Sequence, residues 1–311
     1  MSATIFIDGQ AGTTGLQIQE RLAGRRDIAL IELNDAERKD PKRRSEALNE
    51  AEVAILCLPD DAARESVSLI RNNTTKVIDA SSAHRTDPTW VYGLAEMAPG
   101  QDRRIATAAR VTNPGCYPTG AILLLAPLVR AGIIPADYPI TVNAVSGYSG
   151  GGRKLIEQME NPDGPDGLKT PFRVYGLGLE HKHVPEMQVH SGLKHRPLFV
   201  PSYGRFAQGM IVQVPLLTRL LRSGTKAETV HRALAEAYEG QRFVSVHPLL
   251  PPAEAGALDG DRLAGTDRCE LSVFHDKRGE QILLAAELDN LGKGASGAAV
   301  QNLDLMLGRS A

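Results

Sequence analysis

The chain has 311 residues, 42% of them hydrophobic and 23% charged, with a formal net charge of -2. That balance gives no pull towards nucleic acid or an anionic membrane, and no apolar run approaches the ~20 residues that span a bilayer. Cys57, Cys116 and Cys269 are widely spaced and odd in number, which argues against a disulfide framework and for a reducing, cytoplasmic compartment.

The length suggests two domains. At the start, residues 1–4 run directly into a strand, without the basic-then-apolar pattern of a signal peptide. Residues 4–8 read as a short buried strand, followed by Gly9-Gln10-Ala11-Gly12-Thr13-Thr14-Gly15 and a helix through Leu22. This is a relative of the dinucleotide fingerprint with shifted glycines, placed between the first strand and first helix. The glycines permit a tight turn and close backbone approach, and the helix N-terminus receives the pyrophosphate. Gly9, Gly12, Thr13, Thr14 and Gly15 are the candidate cofactor contacts. A second strand covers 28–33. An acidic residue near its end would hold the ribose of NAD, and Glu32 and Asp35 are placed for that. The basic cluster Arg38, Lys39, Lys42, Arg43 and Arg44 follows, and it suits the extra phosphate of NADP, the cofactor expected here. Residues 53–58 form an apolar strand of the parallel-sheet type that buries Cys57. Pro59 ends it, and Asp60 and Asp61 are placed to cap a helix to Arg71. A fourth strand, 76–80, carries Ser81, Ser82, His84 and Arg85 beyond its carboxyl end, where open α/β sheets bind ligands. Ser81 is a candidate cofactor contact. The guanidinium fork of Arg85 suits a carboxylate or phosphate of substrate. Further strands are expected over 91–94 and 104–108.

The chain then reaches Asn113-Pro114-Gly115-Cys116-Tyr117, with Pro118-Thr119-Gly120 opening an apolar helix to about Ala131. A cysteine at a helix N-terminus meets unpaired N–H groups and the positive end of the dipole, which favour a thiolate. Cys116 is therefore the candidate nucleophile, with Asn113 beside it as a candidate substrate contact.

The second half changes character. Strands over 140–146, 198–202, 209–216, 268–274 and 281–287 suggest a mostly antiparallel sheet, with helices over 153–160 and 226–238. The glycine-rich run from Ser146 and Gly147 to Arg153 and Lys154 reads either as an anion site lined by backbone N–H groups or as a flexible connector. Glu180-His181-Lys182-His183-Val184-Pro185-Glu186 is the densest titratable cluster. Thiol catalysis needs a group that takes and returns a proton, and histidine suits the task near neutral pH, so His181 and His183 are both candidates. No third or fourth ligand accompanies them, so no metal is expected. Glu186, Ser146, Gly147 and Arg153 join the candidate substrate contacts. Lys293 and Gly294, in the small-residue run that opens a last helix to Leu307, join the candidate cofactor contacts.

Taken together, Gly9-x-x-Gly12-x-x-Gly15, Asn113-Pro114-Gly115-Cys116-Tyr117, His181-Lys182-His183-Val184-Pro185-Glu186 and Lys293-Gly294-Ala295-Ser296-Gly297 resemble the N-acetyl-γ-glutamyl-phosphate reductases, and within them the shorter form. The resemblance covers essentially the whole chain and extends to the wider semialdehyde dehydrogenase superfamily. It implies an α/β fold: a Rossmann-type, doubly wound parallel sheet over 1–115, completed by 290–311, and an α+β catalytic domain over 116–289. It implies NADPH-dependent reduction of N-acetylglutamyl phosphate in arginine biosynthesis, with Cys116 as nucleophile, a histidine of the His181/His183 pair as its acid/base partner, and a homodimer or homotetramer. The residues 79–85 depart from the pattern of the longer enzymes, and there only Arg85 keeps its place. Readings that keep the mechanism and change the substrate are aspartate-semialdehyde dehydrogenase and a reductase of a carrier-bound amino-acid phosphate. A non-catalytic NADP-binding sensor needs neither Cys116 nor the histidines.

Overall fold

A computed structural model describes residues 2–309. Met1, Ser310 and Ala311, which the expected domain limits include, lie outside the described residues. The elements run β1 (Ala3–Asp8), α1 (Thr13–Leu22), β2 (Ile28–Ile31), α2 (Pro41–Glu50), β3 (Val53–Leu56), α3 (Asp60–Leu69), β4 (Lys76–Asp79), β5 (Val91–Tyr92), α4 (Gln101–Thr107) and β6 (Arg110–Thr112). They continue with α5 (Cys116–Arg130), β7 (Thr141–Gly147), α6 (Gly152–Glu160), β8 (Phe172–Val174), α7 (Val184–Ser191), β9 (Leu198–Gly204) and β10 (Met210–Leu217). After these come α8 (Ala227–Ala237), β11 (Val244–Val246), β12 (Cys269–His275), β13 (Gln281–Leu288) and α9 (Gly297–Met306).

Two compact units result. The first comprises residues up to Ala95, Gly100–Gly115 and the chain from Ala295; the second comprises Glu96–Pro99 and Cys116–Gly294. In the first unit six strands pair in the order β2-β1-β3-β4-β6-β5, every pair parallel. Alternation along β1 sends Ile5 and Ile7 to one face and Phe6 to the other. Ile5 and Ile7 pack with Ile18, Leu22, Ile105, Leu303 and Met306, under α1, α4 and α9. Phe6 packs with Leu48, Leu56, Ala63 and Val77, under α2 and α3. Both faces of the sheet are thus covered, as parallel sheets require.

One local expectation is corrected here. Residues 104–107 belong to α4 rather than a strand, with Ala108 just past its end, and the strand follows at Arg110–Thr112. Gln, Arg and Ala are helix formers, and Ile105 alone supplies no alternating face. Part of the basic cluster lies in α2, which Pro41 enters at its first turn and the Asp40 carboxylate caps by accepting from Lys42 N–H at 2.9 Å.

In the second unit a seven-stranded sheet has the order β11-β12-β13-β10-β7-β9-β8. Its β11–β12 and β7–β9 pairs are parallel and the others antiparallel, so the expected mostly antiparallel sheet is present. The edge strands β8 and β11, three residues each, are too short to show alternation in the sequence. Helix α5 is buried from Tyr117 to Leu128 and packs on β10 and β13. Gly120 permits the close approach, because a Cβ there would lie 2.9 Å from the Val212 side chain. Pro127 interrupts the helix ladder and frees the carbonyl of Leu123. The Tyr238 hydroxyl donates to that carbonyl at 2.6 Å.

Candidate active site

In the second unit Cys116 is the first residue of α5 and a partly buried free thiol. No acidic residue lies in the first turn, so nothing on the helix opposes the positive end of its dipole at sulfur. Gly294 lies against this residue: a Cβ on it would sit 2.8 Å from Cys116 Cβ and 3.0 Å from the Asp289 carbonyl oxygen.

The next residue, Tyr117, carries the connection to the histidines. Its ring centroid is 6.2 Å from that of His181 and 5.9 Å from that of His183, and the two imidazoles are 4.7 Å apart. Tyr175 stands 5.9 Å from His181 and donates its hydroxyl to Tyr117 Oη at 3.1 Å. Tyr117 in turn donates to the Ser202 carbonyl at 3.0 Å. Burial pushes both phenols up, Tyr175 to about 12, and a charge on Cys116 adds to both shifts. The sulfur is therefore within electrostatic reach of the tyrosine pair.

The two histidines differ. His181 is partly exposed, and its Nδ1 accepts the backbone N–H of His183 at 3.2 Å. The neutral ring therefore carries its proton on Nε2. His183 is buried, with Nε2 3.9 Å from Oε1 of the buried Glu186. Through Tyr117 and its neighbour, Cys116, His181, His183, Glu186 and Gly294 are thus brought together, while the Ser146 hydroxyl donates to the Gly147 carbonyl at 3.1 Å.

In the run from Gly147 the leading N–H groups are used within the fold. The N–H groups of Gly147, Tyr148 and Ser149 donate to the carbonyls of Gly209, Phe206 and Ala207, and Asn290 donates to Ser149 Oγ at 2.9 Å. Arg153 is exposed in the first turn of α6. Lys293, expected at the cofactor, is buried and donates to both carboxylate oxygens of Glu96 at 2.7 Å. Tyr175 and Glu96 did not stand out in the sequence. Tyr175 lies six residues before His181, just after the short edge strand β8, and Glu96 meets Lys293 only through the fold.

In the first unit the glycine run forms a tight turn between β1 and α1. Gly9 has a φ of 88°, and a Cβ there would meet the Cys57 carbonyl oxygen at 2.4 Å. At Gly15 a Cβ would meet the Gly9 carbonyl oxygen at 2.6 Å. No side chain caps α1 and no acidic residue lies in its first turn; Thr13 and Thr14 open it. This cradle fits a pyrophosphate, which needs close backbone and an unopposed helix dipole. Ser81 is held by Asp79, which accepts its hydroxyl at 2.8 Å, and His84 Nδ1 lies 2.6 Å from the same carboxylate. Arg85 is buried and donates to the carbonyls of Asn113 and Ala80, each at 3.1 Å. Asn113 donates to the Ala295 carbonyl at 2.9 Å and accepts from Asn302 at 3.0 Å. Both residues thus fasten the chain entering Cys116. In the basic cluster Arg44 turns inward to Asp8 and Ser66, and Arg43 pairs with Glu37 and Glu46. Arg38 stays beside the end of β2, anchored on the Leu33 carbonyl and paired with Asp35.

Among the described residues no helix is long and apolar enough to cross a membrane. Family models match both parts of the chain: a semialdehyde dehydrogenase NAD binding domain over residues 5–104 and a semialdehyde dehydrogenase dimerisation domain over 116–290. The chain is 57% identical to an N-acetyl-gamma-glutamyl-phosphate reductase of Burkholderia cenocepacia, covering 99% of this chain and 98% of that one. It is 56% identical to the Rhizobium meliloti protein of the same name, with 99% of each covered. Among solved structures, aspartate semialdehyde dehydrogenase II of Vibrio cholerae superposes with a TM-score of 0.74 at 17% identity, covering 99% of this chain and 98% of that one. The Candida albicans aspartate semialdehyde dehydrogenase, solved with NADP, gives 0.61 at 14%, with 99% of each covered; these two likenesses concern the fold alone. By its full-length identity to the bacterial reductases and by both family models, the chain belongs to the N-acetyl-γ-glutamyl-phosphate reductases of the semialdehyde dehydrogenase family.

Proposed function

We propose that the protein reduces N-acetyl-L-glutamyl 5-phosphate to N-acetyl-L-glutamate 5-semialdehyde and phosphate, with NADPH, in arginine biosynthesis. The observation that carries this reading is the partly exposed thiol at the first residue of α5, whose next residue, Tyr117, stands against two imidazoles, in a chain 57% identical to a reductase of that name.

Cys116 Sγ attacks the acyl carbon, the carbon–oxygen bond to phosphate breaks, and a thioester remains on the cysteine. The proton lost by the thiol ends on the departing phosphate. The Cys116 backbone N–H and the N-terminal end of α5 stabilise the oxygen that becomes negative. His181, with its proton on Nε2, donates a hydrogen bond to the same oxygen, while Glu186 orients His183 behind it. The turn from Gly9 to Gly15, with Thr13 and Thr14, would hold the reduced dinucleotide, which would supply the hydride that takes the thioester carbon to the aldehyde level. The carbon–sulfur bond then breaks and Cys116 leaves as thiolate. Arg85 and Asn113 act through the backbone before Cys116, and Arg153 remains the candidate clamp for a substrate anion. Arg38 is the group for the 2′-phosphate of NADP, because its guanidinium stands at the end of β2. The two domains of the expected division, 1–115 with 290–311 and 116–289, take the cofactor and the acyl chemistry respectively. The match to a dimerisation domain supports a homodimer or homotetramer, and three free cysteines support the cytoplasm.

The test is NADP reduction by N-acetylglutamate semialdehyde with phosphate, run beside aspartate semialdehyde. Wild type turns over the acetylated substrate, and Cys116→Ser loses at least about 1,000-fold in kcat while still binding NADP. Preference for aspartate semialdehyde overturns the substrate, and activity surviving in Cys116→Ser overturns the nucleophile. Arg38→Ala raises KM for NADP roughly tenfold and leaves that for NAD; equal effects on both sink the assignment of Arg38.

A further inference from the structure

The motif around Lys293 finds no role in the chemistry above, yet it touches the nucleophile. Residues Gly292–Ser296 form a π-helical turn, a strained geometry often found at functional sites. Four of its five residues, Gly292, Gly294, Ala295 and Ser296, have no side chain long enough to anchor it. Lys293 has one. Its side chain is 1% exposed and that of Glu96 is 2% exposed, and Nζ donates to both carboxylate oxygens at 2.7 Å. The Phe243 ring lies 5.3 Å from Nζ. Such a pair contributes little net stability, because two charges lose their water; what it fixes is geometry. Glu96 itself belongs to a short segment, Glu96–Pro99, that joins the second unit, and Arg130 near the end of α5 donates to the Met97 carbonyl of the same segment at 3.2 Å.

We propose that the Lys293–Glu96 pair is a positioning device for the Cys116 thiol: it pins the π-helical turn so that Gly294 closes against Cys116. Nothing larger than glycine fits there, since an added Cβ would lie 2.8 Å from Cys116 Cβ. A shift of the turn therefore changes the space in which the sulfur and its acyl group sit. The inference rests on Cys116 being the nucleophile.

The experiment replaces both charges at once with Glu96→Leu/Lys293→Met, a double change that leaves no unpaired buried ion. Three quantities are read: kcat, the second-order rate of Cys116 alkylation by iodoacetamide, and NADP affinity. Loss of kcat and of the alkylation rate, each roughly 10- to 100-fold, with NADP affinity and melting temperature near wild type, is the expected result. A double variant that folds, binds NADP and keeps both rates overturns the inference. If the double variant does not fold, Glu96→Gln keeps the shape and removes the carboxylate, and the same two rates decide. Alkylation is measured apart from turnover, so the two readings fail separately. Unchanged rates with turnover still dependent on Cys116 overturn only this inference, and turnover surviving Cys116→Ser overturns both.

Discussion

The three cysteines have the same side chain and different surroundings. Desolvation pushes the Cys57 thiol up to about 12, with the Asp79 and Asp8 carboxylates adding to the shift, although part of the residue meets solvent. Burial pushes Cys269 to about 12 as well, against the opposing charge of Lys293. A raised thiol pKa keeps the group protonated, and only the thiolate reacts. At about pH 8 iodoacetamide is therefore expected to label Cys116 alone in the native protein, as peptide mass mapping would read. Cys57 and Cys269 take label on unfolding, or in a still-folded chain only as the pH nears their raised values. Labelling of either at a rate matching Cys116 would contradict the assignment. Single residues were legible in the sequence to different depths. Cys116 stood out as a candidate because residue type, turn and helix onset point the same way. The pairing of Lys293 was not visible, because Glu96 lies 197 positions away in the chain. Arg85 was read as a substrate clamp on the strength of its guanidinium, and the fold gives that guanidinium two backbone carbonyls to hold.

At the scale of elements, α5 joins stability to function. Its residues are apolar nearly all round, so tertiary burial rather than an amphipathic stripe holds it, and its first residue is the proposed nucleophile. Pro127 in its interior costs one ladder hydrogen bond, and the Tyr238 hydroxyl next to α8 replaces it. Tyr238→Phe leaves the Leu123 carbonyl buried without that donor. We expect a loss of about 1–3 kcal/mol in urea unfolding, with kcat reduced less than twofold. Unchanged stability would mean that the carbonyl is satisfied otherwise. Strands such as β1, β3 and β10 were legible because alternation or an unbroken apolar run marks them. Residues 104–108 misled because short runs of Ile and Ala suit either period. Helix α2 was hidden by its charges, although Asp40 and Pro41 carry an ordinary helix-start signal.

On the scale of the molecule, the chain changes unit after Ala95, Pro99, Gly115 and Gly294, and two of these passages adjoin the residues singled out above, Cys116 and Lys293. The division into a parallel sheet and a mostly antiparallel one was legible because strand spacing and the character of the connections change at Cys116. The order of the second sheet was not, since pairing across long connections leaves no mark on local composition. The proposed reaction passes through a thioacyl enzyme, with the acyl group held on Cys116. That species is the most direct test. The protein is mixed with N-acetylglutamyl phosphate without reduced cofactor, quenched in acid, and digested for mass spectrometry. The account predicts an N-acetylglutamyl adduct on the peptide that contains Cys116, removed by hydroxylamine and absent from Cys116→Ser. Turnover by wild type with no adduct there, or with the acyl group on another side chain, would contradict it.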